Sequence, residues 1–108
     1  MNPPRQPPVL LLDANRERRR RYAAALRANG FEVSAVDHIA EIERWPVGTI
    51  VIVDAARFTP WWGAVGAAHV VVLSDSLIAA RQSCNGVPST WILRRSGPEA
   101  VISVLQAL

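Results

Sequence analysis

The stretch Thr49 to Asp54, T-I-V-I-V-D, decides the fold class of this chain. Its four consecutive β-branched apolar residues are typical of a parallel strand that is buried on both faces. In an open sheet of such strands, ligands bind just beyond the carboxyl ends of the strands. The carboxylate of Asp54 is therefore expected at the edge of the sheet where an α/β domain carries its functional groups.

Length and composition set the class of protein. The 108 residues suit one domain with a single core, and an apolar content of 50% is enough for folding. No apolar run approaches the roughly 18 residues that span a bilayer. The first eight residues lack the apolar stretch of a signal peptide, and Cys84 has no second cysteine with which to pair. We therefore expect a soluble cytoplasmic protein.

The sequence around the central strand predicts alternating strands and helices. Residues 1–8 contain four of the eight prolines and predict a flexible lead-in, which leaves residues 9–108 for the domain. The other apolar runs predict strands over 9–12, 31–36, 69–73 and 90–93. Cap signals predict a helix from Asn15 to Asn29-Gly30, a short one from Asp37 to Pro46, one from Asp75 or Ser76 to Ser83, and one after Ser96.

Helical spacing indicates which residues of the first and last helices face the core. These are Tyr22, Ala25 and Leu26 in the first helix, and Val101, Val104, Leu105 and Leu108 in the last. Strands that alternate with helices favour a parallel sheet with helices on both faces. The predicted fold class is thus α/β, with a doubly wound sheet of five parallel strands.

Polar side chains follow four of the predicted strands. They are Asp13, Asp54, Ser74 and Arg94, and they converge at one edge of the sheet if their strands are neighbours. Two carboxylates can hold a divalent cation or accept a phosphoryl group, while a hydroxyl and a cation can bind the phosphoryl oxygens. This combination points to phosphoryl chemistry or to a remnant of it.

The order of these strand ends resembles the response-regulator receiver domain, the flavodoxin-like phospho-acceptor module of bacterial two-component signalling. The resemblance covers residues 9–108 and is carried by V-L-L-L-D-A-N-R, N-G-F-E-V, I-V-I-V-D, V-V-V-L-S and W-I-L-R. It implies that Asp54 is the phospho-acceptor position and that Asp13 belongs to the acidic pocket. It also implies phosphoryl contacts from Ser74 and Arg94, a switch aromatic at Trp91, a Mg²⁺ site that includes Asp13 and Asp54, and a histidine kinase as partner.

Three departures from the receiver pattern bear on function. Ala14 replaces the second acid, so Asp13 and Asp54 make a poorer Mg²⁺ site than the near-octahedral oxygen cage that this ion requires. Arg94 replaces the lysine, and its planar fork does not substitute for a compact ammonium. Arg95 replaces the proline that usually follows that lysine.

These departures favour a degenerate receiver, or pseudo-receiver, in which Arg94 pairs with Asp54. Such a domain is not an enzyme and needs no cofactor; it acts by protein–protein interaction or dimerisation without phosphorylation. The alternative is an active receiver that is phosphorylated on Asp54 by a histidine kinase.

The arginines raise a third possibility. All 12 basic residues are arginine, the net charge is +3 and the isoelectric point is near 10.4, which are features of nucleic-acid-binding domains. However, Arg18 to Arg21 would point in four directions about 100° apart on a helix and cannot form one basic stripe. We expect a solvated helix surface there, with arginine stems lying over the sheet edge. Nucleic-acid binding is the least favoured function.

The third helix of the receiver pattern is expected to be shortened or absent. Ser74 comes only 20 positions after Asp54, and F-T-P-W-W-G-A-V-G-A between them contains a proline and two glycines. We expect Trp61 or Trp62 to cover the sheet and its neighbour to lie in an interface, most simply of a homodimer. The alternative is that both pack within one chain.

Overall fold

The computed structural model describes residues 7–37, 48–54, 67–75 and 88–108. These residues form five strands: β1 (Val9–Leu12), β2 (Val33–Val36), β3 (Ile50–Asp54), β4 (His69–Ser74) and β5 (Ser89–Leu93). All pairings are parallel, and the strand order is β2-β1-β3-β4-β5. The predicted five-stranded parallel sheet is confirmed, and its order is that of the flavodoxin-like arrangement, in which the chain changes direction between β1 and β3.

Helix α1 (Arg16–Ala28) begins and ends as its cap residues predict. The side chain of Asn15 accepts a hydrogen bond from the backbone N–H of Arg18 at 2.9 Å. Asn29 is the C-cap of the helix, and Gly30 follows with φ +87°, a conformation that costs glycine little. Its buried residues are Tyr22, Ala23 and Leu26, whereas Ala25 is only half-buried.

Helix α2 (Gly97–Ala107) follows a 3-10 turn over Arg94–Ser96. Ser96 was expected to cap it, but this residue already has helical dihedral angles and its side chain makes no capping hydrogen bond. The buried residues are Val101, Ile102 and Leu105, and Val104 is half-buried. The prediction that Leu108 faces inward was wrong: it follows the end of the helix, and 58% of its surface is exposed.

The core lies on both faces of the sheet. On one face, α1 and α2 pack over alternate residues of the strands, among them Leu11, Ile52 and Leu73. The opposite face carries a second buried apolar cluster: Leu12, Val51, Val53, Val70 and Val72. Burial on both faces explains why β3 and β4 are continuous apolar runs rather than alternating ones.

Several predictions fall outside the described residues. These are most of the lead-in over residues 1–8, the helix between Asp37 and Pro46, the third helix, and the helix that begins at Asp75 or Ser76. Among the helices of the described part, none is long and apolar enough to cross a bilayer.

Candidate functional site

Two carboxylates lie side by side where β1 and β3 end. Leu12 of β1 is in register with Val53 of β3, so the next residues, Asp13 and Asp54, stand level at the carboxyl edge of the sheet. This is also the point at which the strand order changes direction, where flavodoxin-like folds bind their ligands. Asp13 is 1% exposed and Asp54 is 7% exposed. Buried carboxylates of this kind need a counter-charge.

That counter-charge comes from Arg18, in the first turn of α1. Its Nε and Nη2 donate to the two oxygens of Asp13, at 2.5 and 2.8 Å, and Nη2 also donates to Oδ2 of Asp54 at 2.8 Å. One guanidinium therefore bridges both carboxylates, with the forked geometry that arginine offers to a carboxylate. The hydrogen bond to Asp13 is the main cause that raises the pKa of Arg18 above its ordinary value, against the opposing effect of burial.

The expectation of a solvated arginine surface over residues 18–21 was wrong for Arg18, whose guanidinium binds the buried carboxylates. Arg19 also contacts the sheet edge. Nη1 of Arg19 donates to the carbonyl oxygen of Asp13 at 2.8 Å. Both residues are half-buried, whereas Arg20 and Arg21 are exposed. The reason is geometric: the first turn of α1 rises directly from the end of β1, so the side of the turn that faces the sheet meets the carboxylates.

Arg94 holds Asp54 from the other side. Its Nη2 lies 2.8 Å from Oδ1 of Asp54, so the ion pair expected from the sequence is present. Its Nη1 donates to Oδ1 of Asp75 at 2.6 Å, although the side chain of Asp75 is 83% exposed. Asp54 thus has one arginine on each carboxylate oxygen, and Asp75 extends the chain of ion pairs toward solvent.

Ser74 lies close to this network and Trp91 lies on a different surface. Ser74 is the last residue of β4 and is buried; it pairs with Leu93, while Asp54 pairs with Leu73 one position earlier. Trp91 is half-buried and packs against the second apolar cluster. The interface candidates Trp61 and Trp62 lie outside the described residues.

The residues at this edge do not fit the Mg²⁺ ion that the receiver resemblance implies. Ala14, at the place of the second acid, is exposed and offers no side-chain ligand. Within the described part of the chain, no group of three or more His, Cys, Asp or Glu residues could hold a metal ion. A guanidinium also occupies the space between Asp13 and Asp54, into which a bridging cation would have to fit.

Comparisons with protein-family models, with curated proteins and with solved structures find no match to this chain.

The geometry limits what Asp54 can do chemically. A carboxylate that attacks phosphorus needs an oxygen lone pair directed at the donor, together with a cation that neutralises the phosphoryl oxygens. Here Oδ2 accepts a hydrogen bond from Arg18, and Oδ1 forms an ion pair with Arg94. The two guanidinium groups balance the two buried carboxylates, so the network is that of a closed, internally neutralised pocket.

Proposed function

We propose that this chain is a receiver-like signalling domain that acts by binding a protein partner or a second copy of itself, without phosphorylation of Asp54. The observation that carries the proposal is the bridge from Arg18 to Asp13 and Asp54. In a receiver, a soluble cation and the incoming phosphoryl group bind in this space. In this chain, the guanidinium of Arg18 occupies it.

The energetics of the bridge support a closed state. Asp13 and Asp54 are almost fully buried, and a buried carboxylate that loses its partner is costly. Phosphorylation of Asp54 would add charge and bulk to a site where both oxygens already contact guanidinium groups. The incoming phosphoryl group would have to displace Arg18 from Asp54 and so break the bridge between the two carboxylates.

A competing role as phospho-acceptor has one observation in its favour. Asp54, Ser74 and Arg94 come from the ends of three adjacent strands and gather at one edge of the sheet, which is the arrangement that phosphoryl contacts need. Under that role, a histidine kinase would be the partner, and Arg18 would move aside before the transfer.

Intact-mass spectrometry separates these two roles. The protein is incubated with a small phosphodonor such as acetyl phosphate and with Mg²⁺, beside an Asp54→Asn control. We expect no phosphoryl adduct on the unmodified chain and no change in its sedimentation. An adduct that forms on the unmodified chain and is absent from Asp54→Asn would refute the proposal, as would a change in oligomeric mass that depends on the phosphodonor.

A further inference from the structure

An open cleft of about 340 Å³ lies beside the ion-pair network, at the carboxyl edge of the sheet. It is lined by Asn15, Glu17, Arg18, Arg21 and Arg94. Small-molecule sites in proteins span roughly 300–1,000 Å³, so this cleft has room for a small ligand but not for a large cofactor. Its chemistry is dominated by guanidinium groups.

The three arginines reach the cleft from two separate elements. Arg18 and Arg21 are three residues apart on α1 and therefore share a face of the helix, while Arg94 follows β5. The inner atoms of Arg18 and Arg94 hold the buried carboxylates, yet 19% and 23% of their side-chain surfaces are exposed. The hydrogen bonds that Arg18 donates to described residues come from Nε and Nη2, which leaves Nη1 available to a ligand.

Arg21 adds a positive charge to the cleft and is not part of the ion-pair network around Asp13 and Asp54. Its guanidinium carbon lies 5.7 Å from the ring centroid of Tyr22, and no carboxylate in the described ranges forms an ion pair with it. Glu17 is the one acid among the described residues that line the cleft, while Arg94 is also paired with the exposed Asp75. The amino end of α1, at Arg16, adds a further positive potential.

We infer that this cleft binds a phosphate-type dianion, either inorganic phosphate or the phosphate group of a small phosphomonoester. Guanidinium forks match the geometry of phosphate oxygens. A phosphate dianion carries two negative charges and directs its terminal oxygens along three directions, which suits guanidinium groups that come from two separate elements. The cleft volume leaves space for an organic substituent. This binding is reversible and leaves Asp54 unmodified, so it does not depend on the interaction role proposed above.

Calorimetric titration of the folded protein tests this inference. The probes are inorganic phosphate and phenyl phosphate, with chloride at the same ionic strength as the reference, because salt alone screens surface charge. The decisive variant is Arg21→Gln, which removes a guanidinium from the cleft without touching the buried carboxylates. The matched control is Arg20→Gln, which removes the same charge from the neighbouring exposed position on α1.

We expect saturable binding of at least one phosphate probe over chloride. Arg21→Gln should weaken it by about tenfold, the loss expected for one hydrogen bond to a charged group, and Arg20→Gln should leave it nearly unchanged. Tighter binding of inorganic phosphate or of phenyl phosphate would each support the site and identify its preferred ligand.

Two outcomes would overturn the inference. One is an identical response to phosphate and chloride; the other is an equal loss of affinity in Arg20→Gln and Arg21→Gln, which would mean that diffuse helix charge binds the anion. Circular dichroism of both variants confirms that they are folded. Intact mass, measured in parallel, separates reversible binding from transfer to Asp54: a covalent adduct would refute the proposed function but would leave the anion site standing.

Discussion

Replacement of Arg18 by alanine tests directly what holds the carboxyl edge of the sheet together. The change removes the guanidinium that pairs with Asp13 and Asp54 and keeps a residue with high helix propensity in α1. Loss of one partner of a buried ion pair costs about 3–5 kcal/mol, because the remaining charge stays buried without compensation.

The expected loss for Arg18→Ala lies at the lower end of that range, for three structural reasons. Asp54 keeps its ion pair with Arg94, Asp13 keeps the hydrogen bond from the backbone N–H of Asn15, and 19% of the Arg18 side chain is exposed to water. We expect the free energy of unfolding to fall by about 3 kcal/mol. In a domain of about 100 residues, each kcal/mol of lost stability lowers the melting temperature by roughly 4 °C. The melting temperature of Arg18→Ala should therefore fall by about 12 °C.

The assay is chemical and thermal denaturation of Arg18→Ala beside Arg20→Ala. Both variants lose one arginine from α1, but Arg20 is exposed and forms no ion pair with another described residue, so its loss should change stability by less than about 0.5 kcal/mol. Equal destabilisation by the two substitutions would refute the argument that the bridge stabilises this edge.

Three further predictions concern other groups of the domain. Asn15→Ala should cost about 1 kcal/mol in denaturant unfolding, because the Arg18 N–H loses its cap; an unchanged midpoint would contradict that. Tyr22 is the single tyrosine, and burial raises its pKa, so tyrosinate absorbance should appear at higher pH in the native than in the unfolded chain. Arg21→Gln should raise this pKa further, because the positive charge of Arg21 lowers it. Identical titration curves for the native and unfolded chains would contradict the effect of burial. Burial lowers the pKa of His69, so the unfolded chain binds more protons below the ordinary value of 6.5. Stability should therefore fall more steeply in the unmodified chain than in His69→Gln as the pH decreases through that value, and parallel curves would count against it.

The sheet could be predicted because its signal is local and periodic. Continuous β-branched runs such as Ile50 to Val53 have few uses other than a strand buried on two faces. Once five such runs alternate with helix caps, parallel pairing follows, and residues that end the strands gather at one edge. Asp13, Asp54 and Ser74 were therefore placed from sequence at the edge where the structure has them.

The bridge from Arg18 could not be predicted from the same pattern. Four identical side chains in a row, Arg18 to Arg21, carry no periodic signal, and which of them faces the sheet depends on where the helix starts and how it rests on β1. The available signal was the spacing: an acid at a strand end, a cap at Asn15 and an arginine three residues later, in the first helical turn. The prediction that Leu108 faces the core was wrong for a related reason: helical spacing applies only within the helix, which ends at Ala107.

A guanidinium that belongs to the chain differs from a soluble cation in a way that bears on regulation. Its local concentration is fixed by the fold, so the bridge across Asp13 and Asp54 does not follow the concentration of any ion in solution. A signal that acts on this edge must then reach the arginines from outside. Arg18 and Arg94 each have one side against a buried carboxylate and another toward the cleft, so an anion bound there would share these two guanidinium groups with Asp13 and Asp54. The proposed phosphate site is therefore coupled to Asp54 through two shared side chains, because a second anion on the same guanidinium groups weakens their ion pairs with the carboxylates.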